Sequence, residues 1–312
     1  MSGSEHAIHA FAEDQAEAET RFLAEIVKIP SDNPPGDCAP AAEAVAKLIE
    51  GLGFTVERHK VPDALVKANG MISATNLIVR RSLGRGGPTI ALNAHGDVVP
   101  PGSGWTRDPY GAEIVDGWMF GRGVAVSKSD IATYAYAMLA LENTRAKVNG
   151  SVELHVTYDE EAGGEIGPRW ILDEGLSKPD LAIGAGFSYA VVNAHNGCLH
   201  LEVEVLGRSA HAARPSTGVD ALEAANAILA ALYGWRGGLA ARTSAIPGIG
   251  SPQMTVGLIA GGINTNVVPD RVTFRLDRRL IPEESATEAE AELRSVIETA
   301  ARTSAGSCWP SR

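Results

Sequence analysis

Apolar positions in this chain follow two rhythms, a helical spacing of three to four residues and an extended spacing of two. The helical spacing marks residues 16–27, a stretch stopped by Ile29-Pro30 and the turn-rich Ser31-Asp32-Asn33-Pro34-Pro35-Gly36-Asp37. It returns at 41–52, 129–145 and 165–174. Short apolar runs at 55–59, 76–80, 89–94, 151–158 and 181–185 read as strands, and Asp116-Gly117 marks a hairpin turn. Apolar strands alternating with amphipathic helices predict an α/β sheet with helices on its faces.

The pattern changes after Asn196-Gly197. Leu199, Leu201, Val203 and Val205 alternate with polar residues, as in a half-exposed antiparallel strand. A helix at 219–233, strands at 254–259 and 271–276 and a helix at 285–301 complete a β-α-β-β-α order, which suggests a small α+β domain with a ferredoxin-like layout. The expected organisation is an α/β domain over 1–196, the α+β domain over 197–305 and an irregular tail at 306–312. Residues 181–201 carry no charge and are long enough to suggest a membrane span, but Asn193, His195, Asn196, Gly197 and His200 interrupt them. The reading is instead two buried strands around a turn.

Length and composition agree with this picture. The 312 residues suit about two domains, and a hydrophobic content of 45% can fill their cores. Lys and Arg total 27 against 38 Asp and Glu, a net charge of −11, and no basic run is present, so nucleic acid is not an expected partner. Cys38, Cys198 and Cys308 are odd in number and far apart, which suggests neither a disulfide framework nor a thiolate zinc site and fits a reducing cytoplasm. Residues 1–20 lack a basic start and an apolar core, so they do not read as a signal peptide.

Two short motifs carry candidate chemistry. In His95-Gly96-Asp97, at the end of an apolar run, the period of two sends both side chains to one side, where the carboxylate can hold the imidazole and leave its other nitrogen for a metal. A strand-end histidine beside a turn aspartate is the plainer alternative. Asp159-Glu160-Glu161 follows another apolar run, at the carboxyl end of a strand where ligands gather in open α/β sheets. Adjacent carboxylates there can divide cation binding and proton transfer, or simply form a solvated acidic loop.

Set in order with Trp105-Thr106-Arg107-Asp108-Pro109-Tyr110 and the 116–123 segment DGWMFGRG, these motifs resemble a zinc-dependent amidohydrolase and metallopeptidase family. That family includes acetylornithine deacetylase, succinyl-diaminopimelate desuccinylase, aminoacylase and carboxypeptidase G. The resemblance continues through Gly207-Arg208-Ser209-Ala210-His211, the 261–270 segment GGINTNVVPD and Asp277-Arg278-Arg279, and spans about 26–282. It implies a mixed-sheet, phosphorylase/hydrolase-like catalytic domain followed by a ferredoxin-like lid and dimerisation domain. His95 would be a metal ligand with Asp97 orienting it, Glu161 a second ligand, and Glu160 the general base for the attacking water. His211 would stabilise the tetrahedral oxyanion, often across a dimer interface, while Asn266 and Arg279 would hold the substrate carboxylate. The implied cofactor is zinc, one or two ions, with cobalt or manganese as substitutes. The implied substrate is an N-acyl amino acid or small peptide, and the implied assembly a cytoplasmic homodimer away from nucleic acid and membrane.

The chain also departs from the family pattern. A metal-bridging Asp normally stands three residues after GRG, where this chain has Val126, which cannot bind a cation. Asp130 lies one helical turn further on and is the candidate replacement. The next acidic ligand has no counterpart in the 184–189 segment, although His195 is near in sequence. The last histidine ligand of the family follows the lid, beyond the point this chain reaches, and the 302–312 tail reads as a truncation or frame-shifted end. The catalytic sheet would then lack covering elements and be prone to association. A non-catalytic family member that binds a carboxylate ligand or acts through dimerisation is the alternative function.

Overall fold

The computed structural model describes residues 3–144, 148–186 and 191–307. Helix α1 (Gly3–Val27) starts well upstream of the stretch its periodicity marks. Phe22, Ile26 and Val27 near its end are buried, while Ile8 and Phe11 in the first half stay partly exposed. Helix α2 (Ala39–Gly51) buries Ala42, Val45, Ala46 and Ile49 at helical spacing. Strand β1 (Val56–Lys60) follows, then α3 (Asp63–Ala68), a helix too short to show a period, and then β2 (Thr75–Gly84) and β3 (Thr89–His95).

Strands β4 (Glu113–Val115) and β5 (Trp118–Phe120) form the expected hairpin. Asp116 and Gly117 both have positive φ, 50° and 81°, as a two-residue type I′ turn requires. Next come α4 (Ser129–Asn143), β6 (Gly150–Thr157), α5 (Pro168–Asp173) and β7 (Leu181–Gly184). Proline at its first position starts α5 later than the apolar pattern suggests. The main sheet has the order β1-β2-β6-β3-β7. It is mixed, as the resemblance implied: β1, β2 and β6 run antiparallel, whereas β6, β3 and β7 are parallel. Leu77, Val79, Leu92, Leu154 and Val156 from the sheet meet Ile26, Ile49, Ile131 and Met138 from the helices in one core.

The chain divides into two compact units, Met1–Tyr189 and Ala190–Arg312. In the second, β8 (Gly197–Leu206), α6 (Ala221–Arg236), β9 (Gln253–Gly261), β10 (Arg271–Leu280) and α7 (Ala286–Ser307) have the expected order. They build an antiparallel sheet, β8-β10-β9, whose inner face packs Val205, Met254, Val272, Phe274 and Leu276 against Ala225, Ile228, Leu232 and Leu293 of the helices.

Two expectations change. Residues 181–201 do contain two strands, but they are not buried and do not share a sheet. Among the described residues β7 is the outermost strand of its sheet, bonded to β3 alone, and leaves Leu181 and Ile183 59% and 52% exposed. β8 lies in the second unit and is half exposed. The irregular tail is also shortened, because α7 continues to Ser307. The Thr303 hydroxyl donates to the Thr299 carbonyl at 2.9 Å within this extension. Residues 308–312 lie outside the described residues.

Candidate metal and catalytic site

β3 and β6 are parallel neighbours, and their paired carboxyl ends set His95 beside Thr157. The chain turns at Gly96, whose N–H donates to the Thr157 carbonyl at 2.8 Å and whose carbonyl accepts from the Ser31 hydroxyl at 2.6 Å. Glycine is required there, since a Cβ would stand 2.5 Å from the buried Tyr158 ring.

Asp97 is fully buried and its carboxylate is an acceptor three times over. Asn33 Nδ2 donates at 2.9 Å, and the backbone N–H groups of Glu160 and Glu161 donate at 3.3 and 3.1 Å. One carboxylate thus holds the acidic loop after β6 against the turn after β3. His95 Nδ1 lies 2.9 Å from the Asp97 backbone carbonyl and 3.4 Å from the Asp97 carboxylate. A carbonyl can only accept, so Nδ1 carries the proton and Nε2 keeps its lone pair for a ligand.

His95, Glu160 and Glu161 each bring a donor atom to within 4.8 Å of the others. Burial alone would lower the His95 imidazole, but the hydrogen bond and charge of Asp97, with Glu160, outweigh it and hold it above its ordinary range. Burial first, then the charges of Glu160 and Asp97, raise the Glu161 carboxyl. Such crowding of negative charge favours a cation at this point. Asp159 plays another part: it turns inward and accepts from the Ile166 and Gly167 N–H groups at 2.7 and 2.8 Å, and burial lifts it to about 6 despite those bonds.

Asp130 is not brought into the donor group. It sits in the first turn of α4, where its carboxylate accepts from the Ser127 hydroxyl at 3.3 Å, and that hydroxyl accepts from the His95 N–H at the same distance. Asp130 therefore supports the His95 backbone through Ser127. Val126 leaves the bridging position without an oxygen donor, and Gly184, Ala185 and Gly186 offer no ligating side chain. Phe187, Ser188 and Tyr189 lie outside the described residues. Asn33 and Ser127 were missed from sequence; only the turn-rich 31–37 segment pointed near either of them.

In the second unit, His211 pairs with Val267 through an isolated bridge, and the Ala212 N–H donates to the Asn266 carbonyl at 2.9 Å. The geometry thus brings His211 and Asn266 together. The Ala213 N–H donates to His211 Nδ1 at 3.1 Å, so the neutral ring carries its proton on Nε2. Both residues are exposed. Arg279 lies on the exposed face of β10, and its Nε donates to both oxygens of Asp277 at 2.9 and 3.1 Å. Its neighbour Arg278 points the other way, fully buried, onto Glu284 at 2.7 Å. His195 is also exposed, with Nδ1 on the Asn196 carbonyl at 2.9 Å.

The carboxyl edge of the parallel strands thus carries a histidine and paired glutamates, side chains able to ligate a divalent cation. A sequence profile of Peptidase family M20/M25/M40 matches residues 91–307, and the chain belongs to that family. Succinyl-diaminopimelate desuccinylase of Rhodospirillum centenum is 29% identical over 291 residues, covering 88% of this chain and 70% of that protein. Acetylornithine deacetylase of Pectobacterium carotovorum is 30% identical over 264 residues, covering 84% of this chain and 64% of that one. The chain thus spans about two thirds of these relatives. The structure of the dipeptidase Dug1p of Saccharomyces cerevisiae superposes with a TM-score of 0.78 at 13% identity, covering 97% of this chain and 78% of that one, a likeness of fold.

Proposed function

We propose that this protein hydrolyses an amide bond in N-acyl amino acids or small peptides with the help of a divalent metal ion. The observation that carries this reading is the convergence of His95, Glu160 and Glu161, organised from both sides by buried Asp97. His95 and Glu161 would hold the ion, zinc by preference or else cobalt or manganese. When bound it would polarise the scissile carbonyl and make water easier to ionise. Glu160 takes a proton from the attacking water and returns it to the leaving amine. The family resemblance gives His211 the stabilisation of the developing oxyanion, and Asn266 and Arg279 the binding of the substrate carboxylate. The donor set fits one ion; a second would need the bridging carboxylate that Val126 does not supply.

We assign the second unit the role of lid and dimerisation domain of a cytoplasmic homodimer. Among the described residues no helix is long and apolar enough to cross a membrane. Val126 favours a second reading, a family member that binds a carboxylate ligand without cleaving it. Assay of zinc-loaded protein against N-acetyl and N-succinyl amino acids and dipeptides decides between them. Glu160→Gln is expected to lower hydrolysis roughly 10²- to 10⁴-fold while zinc content holds. No Glu160-dependent turnover on any of these substrates would leave the binding reading.

A further inference from the structure

The second unit carries another group of converging donor atoms, remote in sequence from His95 and its partners. Cys198 and His200 are alternate residues of β8 and share its exposed face. In the antiparallel register with β10, Asp277 stands opposite His200 and Arg279 opposite Cys198. Backbone pairing alone therefore brings three ligand-bearing side chains together, with donor atoms within 4.8 Å of one another. Cys198 Sγ lies 3.1 Å from His200 Nε2, His200 Nε2 3.0 Å from Asp277 Oδ2, and Cys198 Sγ 3.8 Å from Asp277 Oδ2.

A cysteine, a histidine and an aspartate in contact also suggest a nucleophilic triad, but the geometry opposes it. A relay needs the two ring nitrogens to face different partners, one the nucleophile and one the acid. Here the same nitrogen, Nε2, meets both the sulfur and the carboxylate. One N–H on Nε2 cannot serve both neighbours, whereas a cation at the centre of the three atoms meets all of them at once.

We propose that Cys198, His200 and Asp277 form a binding site for a borderline divalent transition-metal ion of the zinc class. Ordinary zinc bond lengths at a tetrahedral angle give ligand-to-ligand edges of roughly 3.3–3.6 Å, and the three observed separations bracket that range. One sulfur, one nitrogen and one oxygen suit zinc, cobalt or nickel, and exclude calcium and magnesium, which require oxygen cages. Arg279, bonded to Asp277 through Nε, fixes the carboxylate as an outer partner does at such sites. His200 and Asp277 also line a groove of about 390 Å³ together with Thr255, Leu258 and Arg275, with room for solvent or an exogenous donor.

The test is titration of the 312-residue chain with cobalt(II), monitored by absorption. A sulfur-to-cobalt charge-transfer band is expected, because the His95, Glu160 and Glu161 group contains no sulfur and cannot produce one. The band should survive Glu161→Gln and vanish in Cys198→Ser and in His200→Ala. Asp277→Asn should weaken cobalt binding by more than the roughly 10–100-fold that a lost supporting partner costs. All three residues lie on an open sheet face, and thermal melting of each variant confirms folding. As a second readout, zinc should protect Cys198 from alkylation in the wild-type chain and not in His200→Ala. Absence of the band, its persistence in Cys198→Ser, or zinc-independent alkylation of Cys198 would overturn the proposal.

Discussion

His95 Nδ1 lies 2.9 Å from the backbone carbonyl of Asp97, while the Asp97 carboxylate reaches past the ring to the N–H groups of Glu160 and Glu161. One residue therefore sets the histidine tautomer with its backbone and the glutamate loop with its side chain. Asp97→Asn keeps the carbonyl but replaces one carboxylate oxygen with an N–H donor, which faces a backbone N–H. Zinc affinity is expected to fall roughly 10–100-fold, as measured by competition with a chromophoric chelator. Unchanged affinity would mean that the loop holds its shape without this carboxylate.

Gly96→Ala tests how tightly the same turn is packed. The new methyl would sit 2.5 Å from the Tyr158 ring and 3.0 Å from its hydroxyl. Overpacking of this kind costs about 1–3 kcal/mol, so the thermal midpoint should drop and zinc affinity should fall with it. A variant with the wild-type melting temperature would show that Tyr158 can move aside.

Val126→Asp restores an oxygen donor at the position where the family resemblance expects a bridging ligand. Its neighbour Ser127 already contacts the His95 N–H, so the backbone path leads to the site. Zinc binding should tighten at least about tenfold, equivalent to about 1.4 kcal/mol. Isothermal titration of both forms measures the difference, and equal affinities would show that residue 126 does not reach the ion.

Lys128 gives the fold a defined alkaline response. Burial draws its ammonium from 10.5 down to about 8, although Asp32 nearby pulls the other way, and its Nζ donates to the Ile29 carbonyl at 2.7 Å. Between those two values the unfolded chain binds more protons than the folded one, so stability rises with pH from about 8 to about 10.5. The penalty for the buried cation is present in full below about 8. Urea unfolding across this range should show a rise of up to roughly 3 kcal/mol that Lys128→Met abolishes. An equal rise in the variant would assign it to another group.

The strand-end chemistry was readable because it is local. His95 and Asp97 stand two residues apart and Glu160 and Glu161 are adjacent, each pair at the end of an apolar run, and a period of two along an extended chain already orients the first pair. The β-α-β-β-α order was readable for a similar reason, since each element carries its own apolar rhythm, whereas the mixed sheet was implied only by the family resemblance. Asn33 and Ser127 were not readable, because their roles depend on contacts to Asp97 and His95 at sequence separations of 64 and 32. The exposure of β7 was hidden as well, since a short apolar run reads the same in the middle of a sheet and at its margin.

By itself the sequence carried most of the element order in short-range pattern, and its ordered motifs carried the resemblance that implied the family and the four residues around the candidate catalytic centre; α3 was too short to show. Tertiary structure decided what depends on register and sheet position. Strand parity in β10 sends Arg278 into the core and Arg279 to the surface. Spacing argued against any thiolate metal site, yet the pairing of β8 with β10 carries Asp277 across 77 residues to His200 and completes a donor set with Cys198. Hydrogen bonding between strands sets which distant side chains become neighbours, and no local pattern in the chain encodes that choice.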